Sequence, residues 1–327
     1  MIQQEIIRKI AELIMQNAEN TNSIGLYDGK AGLSLSLFIA AGYLQNEYIE
    51  DVAYKLFQES LIRKNNEISF ESGLAGIGYV MLYLLENKYL EADFDEIFGI
   101  QCESIIRYFE NIEKVPARLI DSFQTVYFLS MLSNIKKEDD RISKIIKKFF
   151  EGMELFLAIQ FQDFTDILYI KNKSDVLNKY EIYLKLVDYS GYTDFSRYLL
   201  EDYASLYRKR KIISSLEIGF YLSKITANYT IDKYEDIINE NINNGISNIY
   251  PNTLSLKERI DYAKIINELK REKINEFDLI QENKNMYEDK AIHDLLKIVD
   301  ERSFPFGYGA GLGRLLVYCV NNNAELL

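Results

Sequence analysis

The sequence predicts an all-α protein in which buried helices alternate with half-exposed ones. Three observations lead there. Only three prolines occur (Pro116, Pro251 and Pro305) in 327 residues. Short β-branched runs bounded by Asn-Gly or Asp-Gly turns, the signature of hairpin strands, are nearly missing. A glycine-rich motif also recurs, each time opening a strongly apolar stretch.

The elements follow in chain order. Residues 1–16 alternate charged and apolar positions (Glu5, Arg8, Lys9, Glu12) without an apolar h-region, which argues against a signal peptide. Residues 32–44 are apolar almost all round, as a helix buried on most faces requires. Next, Val52, Leu56, Phe57 and Leu61 fall on one stripe while Lys55, Glu59 and Arg63 lie opposite, the pattern of an outer, half-solvated helix. Residues 73–85 are again apolar on all sides. Amphipathic stretches continue at 101–111, 141–159, 234–246, 256–269 and 287–299, and the apolar run from Leu315 to Cys319 closes the chain. Two layers of helices, inner and outer, account for this rhythm.

Composition narrows the function classes. With 48% hydrophobic and 27% charged residues the chain has the balance of a globular protein. A chain this long buries roughly 75% of its unfolded surface. The net charge of −12 argues against sequence-independent nucleic-acid binding, which needs clustered Lys and Arg to release phosphate counterions. No apolar run is long enough for a transmembrane helix. Cys102 and Cys319 each lie in an apolar helical stretch and suggest reduced core residues, with the cytoplasm as the expected compartment.

The glycine motif reads Gly25-Leu-Tyr-Asp-Gly29-Lys-Ala-Gly32-Leu33 in its first copy and Phe70-Glu-Ser-Gly73-Leu-Ala-Gly76-Ile-Gly78 in its second. Gly76 follows Gly32 by 44 residues, the length of one helical hairpin. A third copy, Phe304-Pro-Phe-Gly307-Tyr-Gly309-Ala-Gly311-Leu-Gly313, lies near the C-terminus. Glycine at a helix start costs up to about 1 kcal/mol relative to alanine, so its repeated use predicts close backbone approach where helix ends converge. The helix N-termini are then expected to point free amides at a common centre. Nucleotide motifs fit poorly. Residues 25–31 fall one residue short of a P-loop and lack its Ser or Thr, and the spacing at 307–313 is not Gly-x-Gly-x-x-Gly.

These three copies resemble the Gly-Leu-x-x-Gly-x-Ala-Gly-Ile motif that precedes each inner helix in the lanthionine synthetase C family. The resemblance implies an α/α toroid of helical hairpins forming one domain over residues 1–327. Asp121-Ser-Phe123 and Asp188-Tyr-Ser-Gly191 stand where degenerate middle copies would fall. It also implies a thioether-forming cyclase whose zinc is held by cysteine thiolates and a histidine. Those ligands are not found here: the counterpart of the first cysteine motif is Ser214-Ser-Leu-Glu-Ile-Gly219, and the chain has one histidine, His293. No metal and no cofactor are therefore expected, since a site built from Cys102, Cys319 and His293 would still need a carboxylate such as Glu217.

The remaining candidates for chemistry are Asp28 and Glu71 beside the glycine turns, joined by Tyr27 and Tyr308, with His293 as a weaker one. Asp28 and Ser72 are expected to cap the helices they precede. The implied function is maturation of a ribosomally made peptide, either as a zinc-independent enzyme or as a non-catalytic subunit that holds the peptide. Its partners would be a precursor peptide or a modifying enzyme. Two alternatives stand beside it. One is a carbohydrate-active toroid using Asp28 and Glu71 as acid and base; the other is a pure interaction scaffold.

Overall fold

With proline rare and strand signals lacking, nothing interrupts the helical rhythm, and every regular element among the described residues is helical. The computed structural model describes residues 2–62, 66–112, 116–162, 170–229, 232–248, 254–271 and 305–320. The amphipathic stretch at 287–299 and His293 lie outside them. The chain divides into two compact units, Met1–Ile105 with Tyr250–Leu327, and Ile106–Ile249.

In the first unit, α1 (Ile2–Ala18), α2 (Lys30–Leu44), α3 (Glu47–Ile62), α4 (Leu74–Glu86) and α5 (Phe94–Asn111, which carries the chain into the second unit) come from the N-terminal part. Two later helices join them, α13 (Leu256–Arg271) and a last one, α14 (Leu312–Val320). The centre is α2, whose residues from Lys30 to Ala41 are all buried, as its apolar circumference requires. Around it pack α3, α4, α14 and α1. The face that α3 turns inward is Ile49, Ala53, Leu56, Phe57 and Ser60. Burying a Leu or Phe side chain stabilises by about 1.5–3 kcal/mol, so this face outweighs the half-solvated remainder of the helix. Polar atoms in the seam are matched: Ser34 Oγ donates to the Ala53 carbonyl (2.8 Å), and buried Lys30 pairs with Glu59.

The second unit contains α6 (Pro116–Asp121), α7 (Thr125–Ile135), α8 (Asp140–Gln162), α9 (Ile170–Ser190), α10 (Arg197–Arg208), α11 (Leu216–Tyr229) and α12 (Glu235–Ser247). Its core is aromatic. The rings of Phe123, Tyr183, Tyr180, Tyr203 and Tyr207 form a stacked file with neighbouring centroids 5.0–6.5 Å apart. Asp121-Ser-Phe123 leads into α7, a buried helix, as a degenerate copy should. Asp188-Tyr-Ser-Gly191 does not. It ends α9: Gly191 takes φ +62° and the Tyr192 amide donates back to the Val187 carbonyl, a left-handed helix stop that glycine favours. Among the described residues, no helix is long and apolar enough to cross a membrane.

Candidate functional site

The three glycine turns lie together in the first unit and share one hydrogen-bond plan. At each helix start the first amide, from Lys30, Leu74 or Leu312, donates to the carbonyl seven residues back, that of Ser23, Glu67 or Pro305 (3.0, 2.8 and 2.9 Å). The turns are also bonded to one another at equivalent positions. The Tyr27 amide donates to the Glu71 carbonyl (2.8 Å), and the Gly309 amide donates to the Tyr27 carbonyl (2.9 Å). The spatial order is therefore second turn, first turn, last turn.

That register explains the glycines. A Cβ on Gly32 would collide with the Leu26 carbonyl of its own turn and sit 2.8 Å from Tyr308 Cβ in the next. A Cβ on Gly76 would meet the Phe70 carbonyl and sit 2.9 Å from Leu26 Cβ, the same collision one turn along. Gly25 lies against the Ser72 backbone and Gly307 against Tyr27 and Asp28. Gly29, Gly73 and Gly311 face carbonyls or amides of their own turns, Gly309 faces the Tyr27 side chain, Gly313 approaches Ser36 Oγ, and Gly78 is buried within α4. At the position of Gly32 and Gly76 the last turn carries Arg314. Its side chain is only 3% exposed and pairs with Asp261 on α13, the Nε donating at 3.2 Å.

Two expectations about these turns are corrected. The N-terminus of α2 does not offer free amides. Those of Lys30, Ala31, Gly32 and Leu33 all donate to carbonyls of their own turn, because the loop folds back over the helix end. Nor do Asp28 and Ser72 cap. Gly29 and Gly73 occupy the cap positions and no side chain bonds there. Ser72 Oγ instead reaches Glu67, which also accepts from Ser69 Oγ (2.7 Å). Hydrogen bonds from Ser72 and Ser69 hold the Glu67 carboxyl below its ordinary range.

Asp28 and Glu71 stand on adjacent turns, Asp28 exposed and Glu71 half-buried beside half-buried Tyr27. Tyr308 is fully buried beneath them. Its hydroxyl has no hydrogen-bond partner, and burial pushes it well above the ordinary tyrosine value. The zinc that the resemblance implies does not fit this donor set. Among the described residues, no three His, Cys, Asp or Glu side chains gather where an ion could be held. Cys102 and Cys319 are both buried, and burial pushes the Cys319 thiol up to about 12, far from the thiolate that a metal would need. Ser215, in the expected ligand stretch, accepts the Ile218 amide through Oγ and so caps α11.

A second concavity, unforeseen from helical patterning, lies wholly within the second unit. It is a cleft of about 580 Å³ where α10, the loop after it and α12 meet, lined by Tyr207, Arg208, Arg210, Ser214, Asp236 and Glu240 among others. The one sequence signal for it is Arg208-Lys-Arg-Lys211, four consecutive cations in a chain of net charge −12. Beneath it, buried Asn241 ties three segments together. Its Oδ1 accepts from Tyr203 Oη (2.9 Å) and the Ser215 amide (3.0 Å), and its Nδ2 donates to the Ile237 carbonyl (2.9 Å).

Comparison with known proteins adds no family: no protein-family model matches the chain, and no curated protein matches it.

Proposed function

We propose that this chain is a divergent lanthionine synthetase C-like protein that holds a ribosomally made peptide in the cytoplasm without zinc. The observation that carries the reading is the shared register of the three glycine turns. In that family such motifs open the inner helices around a central mouth, and here they recur with the same internal bonds and the same glycine contacts. The exposed edge they leave, Asp28 and Ser72 with half-buried Glu71 and Tyr27, is polar and acidic, suited to contacting a peptide main chain. The donor set described above supports a zinc-independent role, in which a partner enzyme supplies any further chemistry.

Two measurements test this. Elemental mass spectrometry of the purified protein, with thermal melts in the presence and absence of chelator, should give no stoichiometric zinc and superimposable melts. Stoichiometric zinc with a chelator-sensitive melt would overturn the zinc-free role. Labelled protein applied to an array of random 12-residue peptides should be retained reproducibly by a subset of them. Uniform failure to retain it would sink the peptide-holding reading.

A further inference from the structure

The cleft in the second unit combines three features. The first is the helix stop that carries Arg210, the same left-handed stop that Gln45 makes after α2 and Lys88 after α4. Arg210 has φ +53° at the end of α10, where the Lys211 amide closes back on the Leu206 carbonyl (3.0 Å) and the Arg210 amide on that of Tyr207 (2.8 Å). Glycine is the usual residue at such a left-handed helix stop, because a Cβ is disfavoured there.

The second feature is unmatched charge. Arg208 is engaged by Asp236, each carboxylate oxygen at 3.2 Å from its Nη2, so its fork is held in place and half neutralised. The Arg210 guanidinium and the Glu240 carboxylate, both exposed and both lining the cleft, have no hydrogen bond or ion pair among the described residues. The third is a mixture of donors and acceptors in one concavity. Asn244 and Asn248 line it beside the Tyr207–Ser214 hydroxyl pair (2.8 Å), and Ile213, 81% exposed, adjoins them as an apolar rim.

A compact phosphate dianion suits this site poorly, because Asp236 already occupies Arg208 and Glu240 repels concentrated negative charge. An extended peptide suits it well. Its main chain supplies an N–H for Glu240 and carbonyls for the asparagine amides. An acidic side chain meets Arg210 in the planar geometry that guanidinium favours, and an apolar neighbour covers Ile213. Lys209 and Lys211, exposed alongside, attract the same sign of charge without lining the cleft. We infer that this cleft docks a short acidic segment of a peptide, with Arg210 as its anchor. The inference rests on the reading that the protein holds a peptide, and it names the place and the charge of the segment held.

The test is fluorescence anisotropy of the full chain with two fluorescein-labelled dodecapeptides, one alternating Glu and Leu, the other Lys and Leu. Wild-type protein should bind the acidic probe. Arg210→Gly, which suits the left-handed backbone and should melt no lower than wild type, should bind it at least tenfold more weakly. Replacing Lys209 and Lys211 together by Ala should change it less than threefold. Equal binding of the acidic probe by wild type and Arg210→Gly would overturn the cleft while leaving peptide holding intact, as would equal losses in Arg210→Gly and the double lysine variant. Preference for the Lys/Leu probe would overturn the acidic class alone. Displacement of the probe by inorganic phosphate at constant ionic strength would assign the site to a small anion and overturn the proposal. Failure to bind either probe would overturn it too, with the peptide array deciding separately whether peptide holding survives.

Discussion

At the scale of single residues, the glycines divide by what a methyl group would meet. Gly32 faces backbone on one side and Tyr308 Cβ at 2.8 Å on the other, and neither can retreat without breaking the bonds between turns. Gly32→Ala is expected to lower the unfolding free energy by about 3 kcal/mol, as overpacking against fixed atoms does. Gly99 on α5 is the contrasting case. Its nearest neighbours are atoms of Asp95 at 3.7 Å, so Gly99→Ala should gain about 0.5–1 kcal/mol through helix propensity. Urea midpoints of the two variants check both signs together; similar shifts in the same direction would show that the turn contacts do not constrain the backbone. The motif glycines were legible because their spacing repeats. The cleft was not, because its lining comes from α10, the loop after it and α12, which only the fold brings together.

At the scale of an element, the second turn is held partly by a carboxylate. Glu67 accepts from Ser69 and Ser72 and sits below its ordinary range, so the folded turn favours the ionised form. The stability it contributes is present above the unfolded carboxylate value and is lost as pH falls through the lower, folded one. Glu67→Gln should therefore lower the melting temperature at neutral pH, and its difference from wild type should shrink away as pH falls through the lowered folded value, which flattens the acid limb. An unaltered acid limb would count against the bonds. The helices themselves were legible from periodicity, and buried α2 and α4 match their apolar circumference. Their starts were misjudged. Asp28 and Ser72 are typical capping residues by type, but the loop carbonyls of Ser23, Ile24 and Gly25 reach the α2 amides first. Likewise, Asp188-Tyr-Ser-Gly191 contains the right residues for a helix start, but the left-handed angle at Gly191 makes it a stop.

At the scale of the whole molecule, the first unit is built from the two ends of the chain. Tyr27 and Gly309 exchange a backbone bond across most of the sequence, and Gln3 Nε2 on α1 donates to the Cys319 carbonyl on α14 (2.8 Å). Ending the chain at residue 304 would remove buried Tyr308, Leu312, Leu315, Leu316 and Val317. At about 1.5–3 kcal/mol each, that loss is comparable to the whole stability of a typical domain. Circular dichroism melts of the truncated chain should show the first unit without a cooperative transition; a transition matching that of the full chain would mean the unit stands without its C-terminal turn. The closeness of the first and last motifs was not evident from the sequence, since similar motifs need not be neighbours. It became visible only through the register of the bonds.

Arg314 adds a constraint on how such a protein can grow. A hairpin duplicated between the second and first turns, or between the first and last, would meet glycine on its neighbour's contact face and could be accommodated. Beyond the last turn, a newly duplicated hairpin would meet a long cationic side chain locked to Asp261. The array can lengthen from within but not at that end, so one side chain fixes where it stops.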